Sequence, residues 1–492
     1  MSHPATTPVA AVPPVLPPSS VVTLDHAHVW HPFTQMRDWL RSQPIVLTHG
    51  KGATLFDDQG RSYLDANSSI WTNLHGHRHP RLDAALKRQL GRVAHTSSLG
   101  FANPPAAELA AALVRVANPS PPNPAPAQPL TKVFFSDDGS TAIETALKLA
   151  YEFTRRTRGP EPAPRFLSLD GAYHGDTVGA VSAGHIDLFH QAYGGLLFET
   201  GKVMAPYCYR CPFNRAKPDR TDARLYRQCN WECVGKVEQA FTQADSARRP
   251  YSAFLYEPRM QGAAGMIPQP DGWLLRIAEI ARAHDSLLIA DEVMTGFART
   301  GGSSLFAGQD QGVTPDLMAL AKGLTGGYLP LAATLATQPI FDAFLGDYSG
   351  FKTFFHGHSY NANPLGCAVA CASLDLLTPD PAQRRRSRLA DLLRRELLQL
   401  WQHPNVGDIR QTGLVVGIEL VADASTRAPF NLQDRVGIRV CEAMARLGVL
   451  TRPIGNVLVL MPPYCIRPAE LIRMVQVTAQ ALEEVLGPMR PS

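Results

Sequence analysis

Hydrophobic positions follow two patterns along this chain. Between Lys132 and about Ala336, short apolar runs alternate with segments that have the spacing of helices. The apolar runs are KVFFS, RFLSLD, SAFLYEP, SLLIADE and LMALAK. Such runs are typical of strands buried on both faces, and helical segments separate most of them. This pattern predicts a large domain of the α/β class with a mostly parallel sheet.

The two ends of the chain predict a second, smaller domain. Near the N-terminus, GATLFDDQGRSYLDA predicts a hairpin that turns at Asp58 to Gly60. Near the C-terminus, a long helical stretch begins at about Asn363 and continues through RRRSRLADLLRRELLQL. Two strands, GLVVGIELV and NVLVLMPP, and a closing helix from Pro468 to Leu486 follow. We expect these segments to form one α+β domain.

These patterns divide the chain into four parts. Residues 1–22 are rich in proline, alanine and valine and are expected to form a disordered tail. Residues 23–66 are assigned to the N-terminal part of the small domain, 67–345 to the large domain, and 346–492 to the C-terminal part of the small domain. The stretch NPSPPNPAPAQPL, from Asn118 to Leu130, is expected to be an extended surface loop.

Composition and charge are those of an ordinary soluble globular protein. Hydrophobic residues make up 45% and charged residues 18% of the 492 positions, and the formal net charge is only +4. A charge this small gives no support to nucleic-acid binding. The N-terminus lacks the basic region of a secretory signal, and no stretch approaches the roughly 20 apolar residues of a membrane helix. We therefore expect a cytoplasmic protein that binds neither nucleic acid nor membranes.

A pair of acidic residues ends one of the predicted strands. In SLLIADEVMTGFARTGG, Asp291 and Glu292 follow a buried apolar run, which places them at the carboxyl edge of the sheet, where ligands bind. A buried carboxylate is costly unless a cation or a strong donor faces it. A nucleotide-hydrolysing site would also need G-x-x-x-x-G-K-[ST] upstream, and the sequence contains no such run. The motif therefore favours a carboxylate that faces another kind of ligand.

Two further motifs offer a nucleophile and an anion site. In DLMALAKGLTGGYLPLAA, Lys322 follows an apolar strand and precedes a glycine-rich turn, where burial would lower its pKa and favour Schiff-base chemistry. The alternative is a lysine that extends from the strand end to solvent. In FFSDDGSTAIETALKLA, a strand, a turn and a helix present backbone N–H groups and the Ser140 hydroxyl to a phosphate, although a plain N-cap explains the same residues.

Together these motifs predict a pyridoxal 5′-phosphate site. A phosphate cup, a carboxylate for a pyridinium nitrogen and a lysine for an aldehyde are the three groups needed to hold that cofactor. A fourth motif, GAYHGDT, offers Tyr173 for stacking on the cofactor ring and Asp176 for orienting polar groups. Glu257 and Gln261 are candidates for lining the cofactor pocket, with hydrogen bonding in the core as the alternative.

The order DDGS, YHGD, EPRMQG, ADEVMTGFARTG and AKGLTGG resembles the class III, or omega, aminotransferases of fold type I over most of the chain. The resemblance implies a pyridoxal-phosphate-dependent aminotransferase with a large, mostly parallel-sheet domain and a smaller α+β domain. It implies that Lys322 holds the cofactor and shuttles a proton, that Asp291 pairs with the pyridine nitrogen, and that Tyr173 stacks on the ring. These three are the expected catalytic residues, and Gly139 and Ser140 are expected to bind the phosphate.

Segments near both ends resemble the branch of this class that acts in biotin synthesis: HVWHPFTQM, SSIWTNLHGHRHP, TFFHGHSYNANPLGCA and LTRPIGNVLVLMPP. The resemblance implies ping-pong transamination of 8-amino-7-oxononanoate to 7,8-diaminononanoate by a homodimer with shared active sites. Gly357, His358 and Ser359 match a stretch that reaches the partner's phosphate in this family; His358 and Ser359 would bind cofactor, and Gly357 substrate. Arg452 matches the arginine that receives the substrate carboxylate. A taurine- or omega-amino-acid:pyruvate aminotransferase of the same class is the alternative.

Two departures from the family pattern bear on the amino donor. A tyrosine of the members that use S-adenosylmethionine is Phe33 here, and their Trp-Trp pair is Ile70-Trp71. In the family both positions line the substrate pocket, as does the tyrosine at Tyr173, and similar replacements occur in relatives that use lysine. The expected donor is S-adenosylmethionine, with lysine as the alternative.

A cysteine cluster raises the question of a metal. Cys208, Cys211, Cys229 and Cys233 form C-x₂-C and C-x₃-C pairs, which can hold structural zinc or an iron–sulfur cluster. Four reduced cysteines in a surface excursion are the alternative. The three histidines of HGHRHP are explained by the family resemblance without a metal. A metal-binding interaction protein built on an inactive enzyme scaffold is a further hypothesis, and the intact lysine, aspartate and serine motifs argue against it.

Overall fold

The computed structural model describes residues 18–118 and 128–488. Residues 1–17 of the tail predicted for residues 1–22 lie outside the described residues, and so do residues 119–127, which are most of the predicted surface loop. The first helix, Pro18–His28, takes in the last five residues of the predicted tail, so that boundary was wrong. The helix is tied to the chain that follows, because Asp25 accepts a hydrogen bond from Trp39 Nε1 at 2.8 Å. Within the two described ranges, no helix has the length and apolar character needed to cross a membrane.

The strands are numbered here in chain order. They are β1 (Leu47–Lys51), β2 (Thr54–Asp57), β3 (Ser62–Asp65), β4 (Leu130–Ser136), β5 (Arg165–Leu169), β6 (Gly201–Val203), β7 (Tyr251–Tyr256), β8 (Met260–Gln261), β9 (Ile267–Pro268), β10 (Leu287–Asp291), β11 (Leu317–Leu320), β12 (Ala332–Thr337), β13 (Val406–Thr412), β14 (Val415–Asp423), β15 (Ala428–Pro429), β16 (Val449–Leu450), β17 (Pro453–Ile454) and β18 (Val457–Leu460).

The α-helices are numbered in the same way. They are α1 (Pro18–His28), α2 (Met36–Trp39), α3 (Ser68–Trp71), α4 (Pro80–Leu90), α5 (Pro104–Ala117), α6 (Gly139–Arg158), α7 (Val178–Ser182), α8 (Asp187–His190), α9 (Ala223–Tyr226), α10 (Glu232–Ser246), α11 (Trp273–Ala283), α12 (Ala307–Asp310), α13 (Gln338–Asp342), α14 (Pro364–Leu377), α15 (Asp380–Leu397), α16 (Val436–Arg446) and α17 (Pro468–Leu486).

The central sheet has the strand order β4-β12-β11-β10-β7-β5-β6. All five apolar runs of the sequence form strands of this sheet, as predicted. Strands β11, β10, β7, β5 and β6 pair in parallel. Strand β12, which was not among the predicted strands, lies antiparallel to both β11 and β4. The sheet is therefore mostly parallel, and the predicted α/β class is confirmed.

Both faces of the central sheet are covered by helices. Along β7, Ala253 and Leu255 point into a core cluster that includes residues of α6. The alternate residues Phe254 and Tyr256 point to the other face, into a cluster with α10 and α11. All four side chains are at most 1% exposed, as expected for a strand buried on both faces.

Two smaller sheets are built from the ends of the chain. Strands β2 and β3 form the predicted hairpin, and β16 from near the C-terminus pairs in parallel with β3. The second of these sheets has the order β13-β14-β18-β17. The closing helix α17 has the predicted bounds. The helical stretch predicted from Asn363 is instead two helices, α14 and α15, because Pro379 between them has extended backbone (ψ 141°) and no N–H group, while Pro381 lies in the first turn of α15.

Candidate active site

Four chain segments bring ionisable side chains to one edge of the central sheet. Glu257 follows β7, Asp291 ends β10, Lys322 follows β11 after one residue, and Asp138 follows β4. Because the carboxyl ends of parallel strands meet at the same edge, residues far apart in sequence lie together here. All four line one cavity of about 470 Å³.

The cavity contains most of the residues predicted for the cofactor. Its lining consists of Trp71, Thr72, Asp137, Asp138, Gly139, Ser140, Tyr173, His174, Gly175, Glu257, Ala263, Asp291, Val293, Met294, Ala321, Lys322, Gly327, Tyr328, Leu329, Pro330 and Leu331. An amine, several carboxyl groups, a helix N-terminus and aromatic rings therefore face the same space.

Lys322 carries the amine of the cavity. Burial lowers the pKa of its ammonium group, while the nearby carboxyl groups of Asp291 and Glu257 act in the opposite direction. Its Nζ lies 5.8 Å from the centre of the Trp71 ring. A lysine with a lowered pKa can present a neutral, nucleophilic amine, which is the form that condenses with an aldehyde.

Asp291 is held by a histidine that the sequence reasoning missed. Its Oδ2 lies 2.7 Å from Nδ1 of His174, and its Oδ1 accepts the backbone N–H of Val293 at 3.0 Å. The His174 side chain is fully buried. His174 belongs to the YHGD motif, and its position beside Tyr173 at a strand end was the signal that could have identified it.

The N-terminus of α6 forms one end of the cavity. Asp138 caps the helix by accepting the Thr141 N–H at 3.0 Å, while Gly139 and Ser140 belong to the first turn, where N–H groups lack acceptors within the helix. The Ser140 hydroxyl accepts the backbone N–H of Asp176 at 3.0 Å. Free N–H groups at a helix N-terminus favour an anion such as phosphate.

Two glycines at this end of the cavity allow the chain to pack closely. A Cβ on Gly139 would lie 2.7 Å from Val293 Cγ1, and a Cβ on Gly175 would lie 1.8 Å from Ser140 Oγ. Gly175 also has a φ of +119°, which side chains disfavour. These positions therefore need glycine for the chain to close around the cavity.

Tyr173 connects the cavity to a row of aromatic rings. Its hydroxyl donates to Asp176 Oδ2 at 2.6 Å, which is the orienting role suggested for that aspartate. Burial, and then this hydrogen bond, raise the pKa of Tyr173 well above its usual range. The centres of the Tyr173 and Phe189 rings lie 6.2 Å apart, and those of the Phe189 and Phe33 rings lie 5.3 Å apart.

Several predicted site residues lie outside the cavity of the single chain. Among the described residues that line it, we do not find Phe33, Ile70, Gly357, His358, Ser359 or Arg452. His358 Nδ1 lies 3.2 Å from Asp137 Oδ2, and Asp137 does line the cavity. Arg452 is exposed. Burial raises the pKa of the Cys441 thiol in α16, and the positive charge of Arg452 acts in the opposite direction, so the two side chains lie near each other.

Glu257 and Gln261 differ in their roles. Glu257 lines the cavity, and burial raises its pKa to about 7. Its Oε2 accepts the Gly262 N–H at 2.7 Å, whereas its buried Oε1 has no hydrogen-bond partner in the described part of the chain. Gln261 instead donates to the carbonyl of Asp170 at 3.0 Å, outside the cavity, so the core alternative applies to it.

The structure does not support the predicted metal site. In residues 18–118 and 128–488, no three histidine, cysteine or acidic side chains are grouped so that they could hold a metal ion. Cys208, Cys211, Cys229 and Cys233 are free thiols. Burial raises the pKa of Cys208 to about 12 and that of Cys233 to about 11 in the metal-free chain. The zinc or iron–sulfur hypothesis is corrected to four reduced cysteines.

Comparisons with known proteins agree with this site. Residues 36–482 match the family model of class-III aminotransferases. A relative from Geobacter sulfurreducens, named adenosylmethionine-8-amino-7-oxononanoate aminotransferase, is 46% identical over 94% of this chain and 97% of its own. The solved structure of the Methanocaldococcus jannaschii protein of that name has a TM-score of 0.86 at 36% identity, covering 95% and 99% of the two chains. The omega transaminase from Pseudomonas jessenii in complex with PMP has a TM-score of 0.84 at 28% identity, covering 94% and 98%.

The fold, the site and these comparisons define the class of the protein: the chain belongs to the class-III aminotransferases. These enzymes depend on pyridoxal phosphate and act on small molecules, so the predicted family, fold type, enzyme class and cofactor are confirmed.

The residues of the cavity fit that cofactor. The α6 N-terminus with Gly139 and Ser140 suits a phosphate, Asp291 suits a pyridine nitrogen and Lys322 suits an aldehyde. Gly139 and Gly175 allow the chain to pack closely against Val293 and Ser140 at the phosphate end.

Proposed function

We propose that this enzyme transfers an amino group from S-adenosylmethionine to 8-amino-7-oxononanoate and forms 7,8-diaminononanoate in biotin biosynthesis. The observation that carries the reaction type is the Lys322 amine, which shares one cavity with Asp291 and the α6 N-terminus. The substrates are proposed from the name of the Geobacter sulfurreducens relative, which matches this chain over nearly its whole length.

Lys322 performs the proton transfers in this proposal. The cofactor, when bound, supplies the electron sink that makes the α-carbon of the donor acidic. Nζ of Lys322 takes the proton from that α-carbon, and in the second half of the ping-pong cycle it returns a proton to the carbon that was the ketone. The lowered pKa of Lys322 suits both directions, because an acid–base group works best when its pKa lies near the working pH.

Asp291 and Tyr173, which line the same cavity, support this chemistry in different ways. Asp291 keeps a proton on the pyridine nitrogen, and His174 fixes the orientation of that carboxylate through the 2.7 Å contact. Tyr173 offers its ring for stacking, and its hydroxyl is held by Asp176. The raised pKa of Tyr173 keeps that hydroxyl protonated at neutral pH.

Substrate recognition is assigned to Arg452, Phe33, Ile70 and Trp71. We propose that Arg452 receives the carboxylate of the keto acid, because a guanidinium can bind a carboxylate with two hydrogen bonds. Phe33, Ile70 and Trp71 would contact the apolar part of the substrates. Trp71 already lines the cavity, and Phe33 is linked to Tyr173 through Phe189.

We propose a homodimer with shared active sites. The segment that would cross to the partner, Gly357–Ser359, lies beside the cavity wall through the contact between His358 and Asp137. Large apolar side chains on neighbouring segments are exposed in the single chain; Leu99 is 87% and Phe355 is 70% exposed. Exposed apolar surface of this kind is typical of subunit interfaces. Light scattering of the purified enzyme would give the mass of the assembly.

A cytoplasmic location is part of the same proposal. All eight cysteines are free thiols in the structure. Free thiols agree with a reducing compartment, where the enzymes of small-molecule biosynthesis operate.

A half-reaction experiment tests the donor. The yellow holoenzyme is mixed separately with S-adenosylmethionine, lysine and taurine, and the absorbance of the bound cofactor is followed. We expect S-adenosylmethionine to bleach it and 8-amino-7-oxononanoate to restore it. Bleaching by lysine instead would identify lysine as the amino donor and leave the proposed product unchanged. Bleaching by taurine alone would refute the biotin assignment and favour the omega-amino-acid:pyruvate reaction.

A Lys322→Ala variant is the matched control. It keeps the cavity but lacks the acid–base amine, so its rate of bleaching should fall by at least about 10²-fold.

A further inference from the structure

A strained segment of backbone lies directly beside the cavity. Ser68, Ser69, Ile70 and Trp71, numbered α3 above, have consecutive positive φ values of 51°, 45°, 64° and 70°, so this turn is not an ordinary right-handed helix. Such values are uncommon for any residue other than glycine, and a β-branched isoleucine there is an outlier. The segment ends at Trp71, which lines the cavity and places its ring 5.8 Å from Nζ of Lys322. Strained backbone persists only where the surrounding structure holds it, and it is concentrated at functional sites.

One buried carboxylate holds the centre of this segment. Asp65, at the end of β3, is 1% exposed. Its Oδ1 accepts the backbone N–H of Ser69 at 2.8 Å, and its Oδ2 accepts the Ser69 hydroxyl at 2.9 Å. His77 Nε2 lies 3.1 Å from the same Oδ2. Hydrogen bonds to a charged acceptor are about twice as strong as neutral ones, so this carboxylate is the strongest tie to the strained turn.

Weaker ties secure the two ends of the segment. The Ser68 hydroxyl donates to the carbonyl of Met461 at 2.6 Å. The Ile70 N–H donates to Asn67 Oδ1 at 3.2 Å, and the Trp71 N–H donates to the Asn67 carbonyl at 2.7 Å. These are neutral hydrogen bonds, so they fix the path of the chain but contribute less than a buried charge.

We propose that Asp65 is a positioning residue for substrate recognition, which holds the Ser68–Trp71 turn so that the Trp71 ring forms the cavity wall facing Lys322. Asp65 is not itself part of the cavity lining among the described residues, so it acts through Trp71. The identity of the substrate that meets this wall rests on the proposed function, whereas the position of Trp71 relative to the cofactor does not.

A second buried aspartate provides a matched control. Asp57, at the end of β2, is 2% exposed and accepts the backbone N–H groups of Gln59 and Arg61 at 3.0 and 2.8 Å. It therefore holds a neighbouring turn with the same chemistry. In the described chain it has no place in the cavity lining.

A double-mutant cycle in the holoenzyme tests the proposal. Asp65→Asn and Trp71→Ala are made singly and together, and kcat and KM for 8-amino-7-oxononanoate are measured. We expect Asp65→Asn to raise KM by about tenfold or more, with a smaller change in kcat, because charged hydrogen bonds to the turn are lost. In the Trp71→Ala background the same substitution should change KM less than about twofold, because the ring that Asp65 positions is already gone. Asp57→Asn should leave KM unchanged.

A second readout needs no substrate. The fluorescence contributed by Trp71, taken as parent minus Trp71→Phe, should be quenched by the bound cofactor, and Asp65→Asn should weaken that quenching. Ser69→Ala removes one of the two hydrogen bonds from the turn, so it should move both readouts in the same direction by less. It also tests the proposal if Asp65→Asn fails to fold.

Two results would overturn the positioning role. One is an equal effect of Asp65→Asn on KM with and without Trp71; the other is unchanged quenching of Trp71 in both Asp65→Asn and Ser69→Ala. If the parent enzyme does not aminate 8-amino-7-oxononanoate but the quenching changes as expected, the proposed function fails and the role of Asp65 stands.

Discussion

Glu292 provides a test of how burial controls charge in this fold. The residue follows Asp291 and is fully buried. Its Oε1 accepts the Gly308 N–H at 2.8 Å, and its Oε2 accepts the Thr295 hydroxyl at 2.7 Å. Burial raises the pKa of Glu292 from its ordinary value of 4.5 to about 7, despite these hydrogen bonds. Replacing Glu292 with glutamine keeps the shape of the side chain and removes its charge.

The magnitude follows from the pKa shift. Each unit corresponds to about 1.4 kcal/mol, so a shift from 4.5 to about 7 corresponds to about 3 kcal/mol. Because the folded-state pKa is the higher one, the folded protein binds more protons between these values. The contribution of Glu292 to stability is therefore full below pH 4.5 and is lost as the pH rises through 7. The free energy of unfolding of Glu292→Gln, relative to that of the parent, should increase by about 2.5 kcal/mol from pH 5 to pH 8.

Calorimetry of the holoenzyme at these two pH values measures the effect. For a chain of 492 residues, about 2.5 kcal/mol corresponds to a difference of about 2.5 °C in Tm. The Tm of Glu292→Gln minus the Tm of the parent should therefore be higher at pH 8 than at pH 5 by this amount. Glu238→Gln, at an exposed position of α10, should show no such shift. A difference that is the same at both pH values for Glu292→Gln would refute the reasoning.

Two further predictions concern the phosphate end and the C-terminal sheet. Gly175→Ala places a Cβ 1.8 Å from Ser140 Oγ, so Ser140 must move and the affinity for pyridoxal phosphate should fall by about tenfold or more in a cofactor titration. Gly235→Ala, where the described chain leaves open space, should bind the cofactor normally. Arg410→Leu leaves the buried Asp408, which lies 3.0 Å from the guanidinium, without its ion-pair partner, while Glu419 keeps its contact with Arg210. The free energy of unfolding should fall by about 3–5 kcal/mol in denaturant titrations, and an unchanged midpoint would contradict this.

The parts of the fold that could be predicted depend on local sequence. Strands β4, β5, β7, β10 and β11 are short apolar runs with turn residues on either side, so each is visible in a window of a few residues. The position of Lys322 and Asp291 at one edge follows from the general rule for parallel sheets. Strand β12 was missed because its residues, AATLAT, are small and polar enough to resemble a loop.

The parts that could not be predicted depend on contacts between distant segments. His174 contacts Asp291 across 117 positions, and no pattern in either segment specifies that pairing. The strained turn before Trp71 is held partly by Met461, which lies 393 positions from Ser68. The cysteine spacing suggested a metal, but spacing does not specify whether the side chains converge, and among the described residues no three such side chains are grouped to hold one.

Asp291 and Glu257 are two carboxyl groups near Lys322 whose surroundings differ. Asp291 receives hydrogen bonds from His174 and from the Val293 N–H, and both stabilise a carboxylate. Glu257 receives one from Gly262, and burial raises its pKa to about 7. Asp291 therefore offers an oriented side chain to a pyridine nitrogen, whereas Glu257, whose pKa is raised by burial, can hold a proton beside the amine.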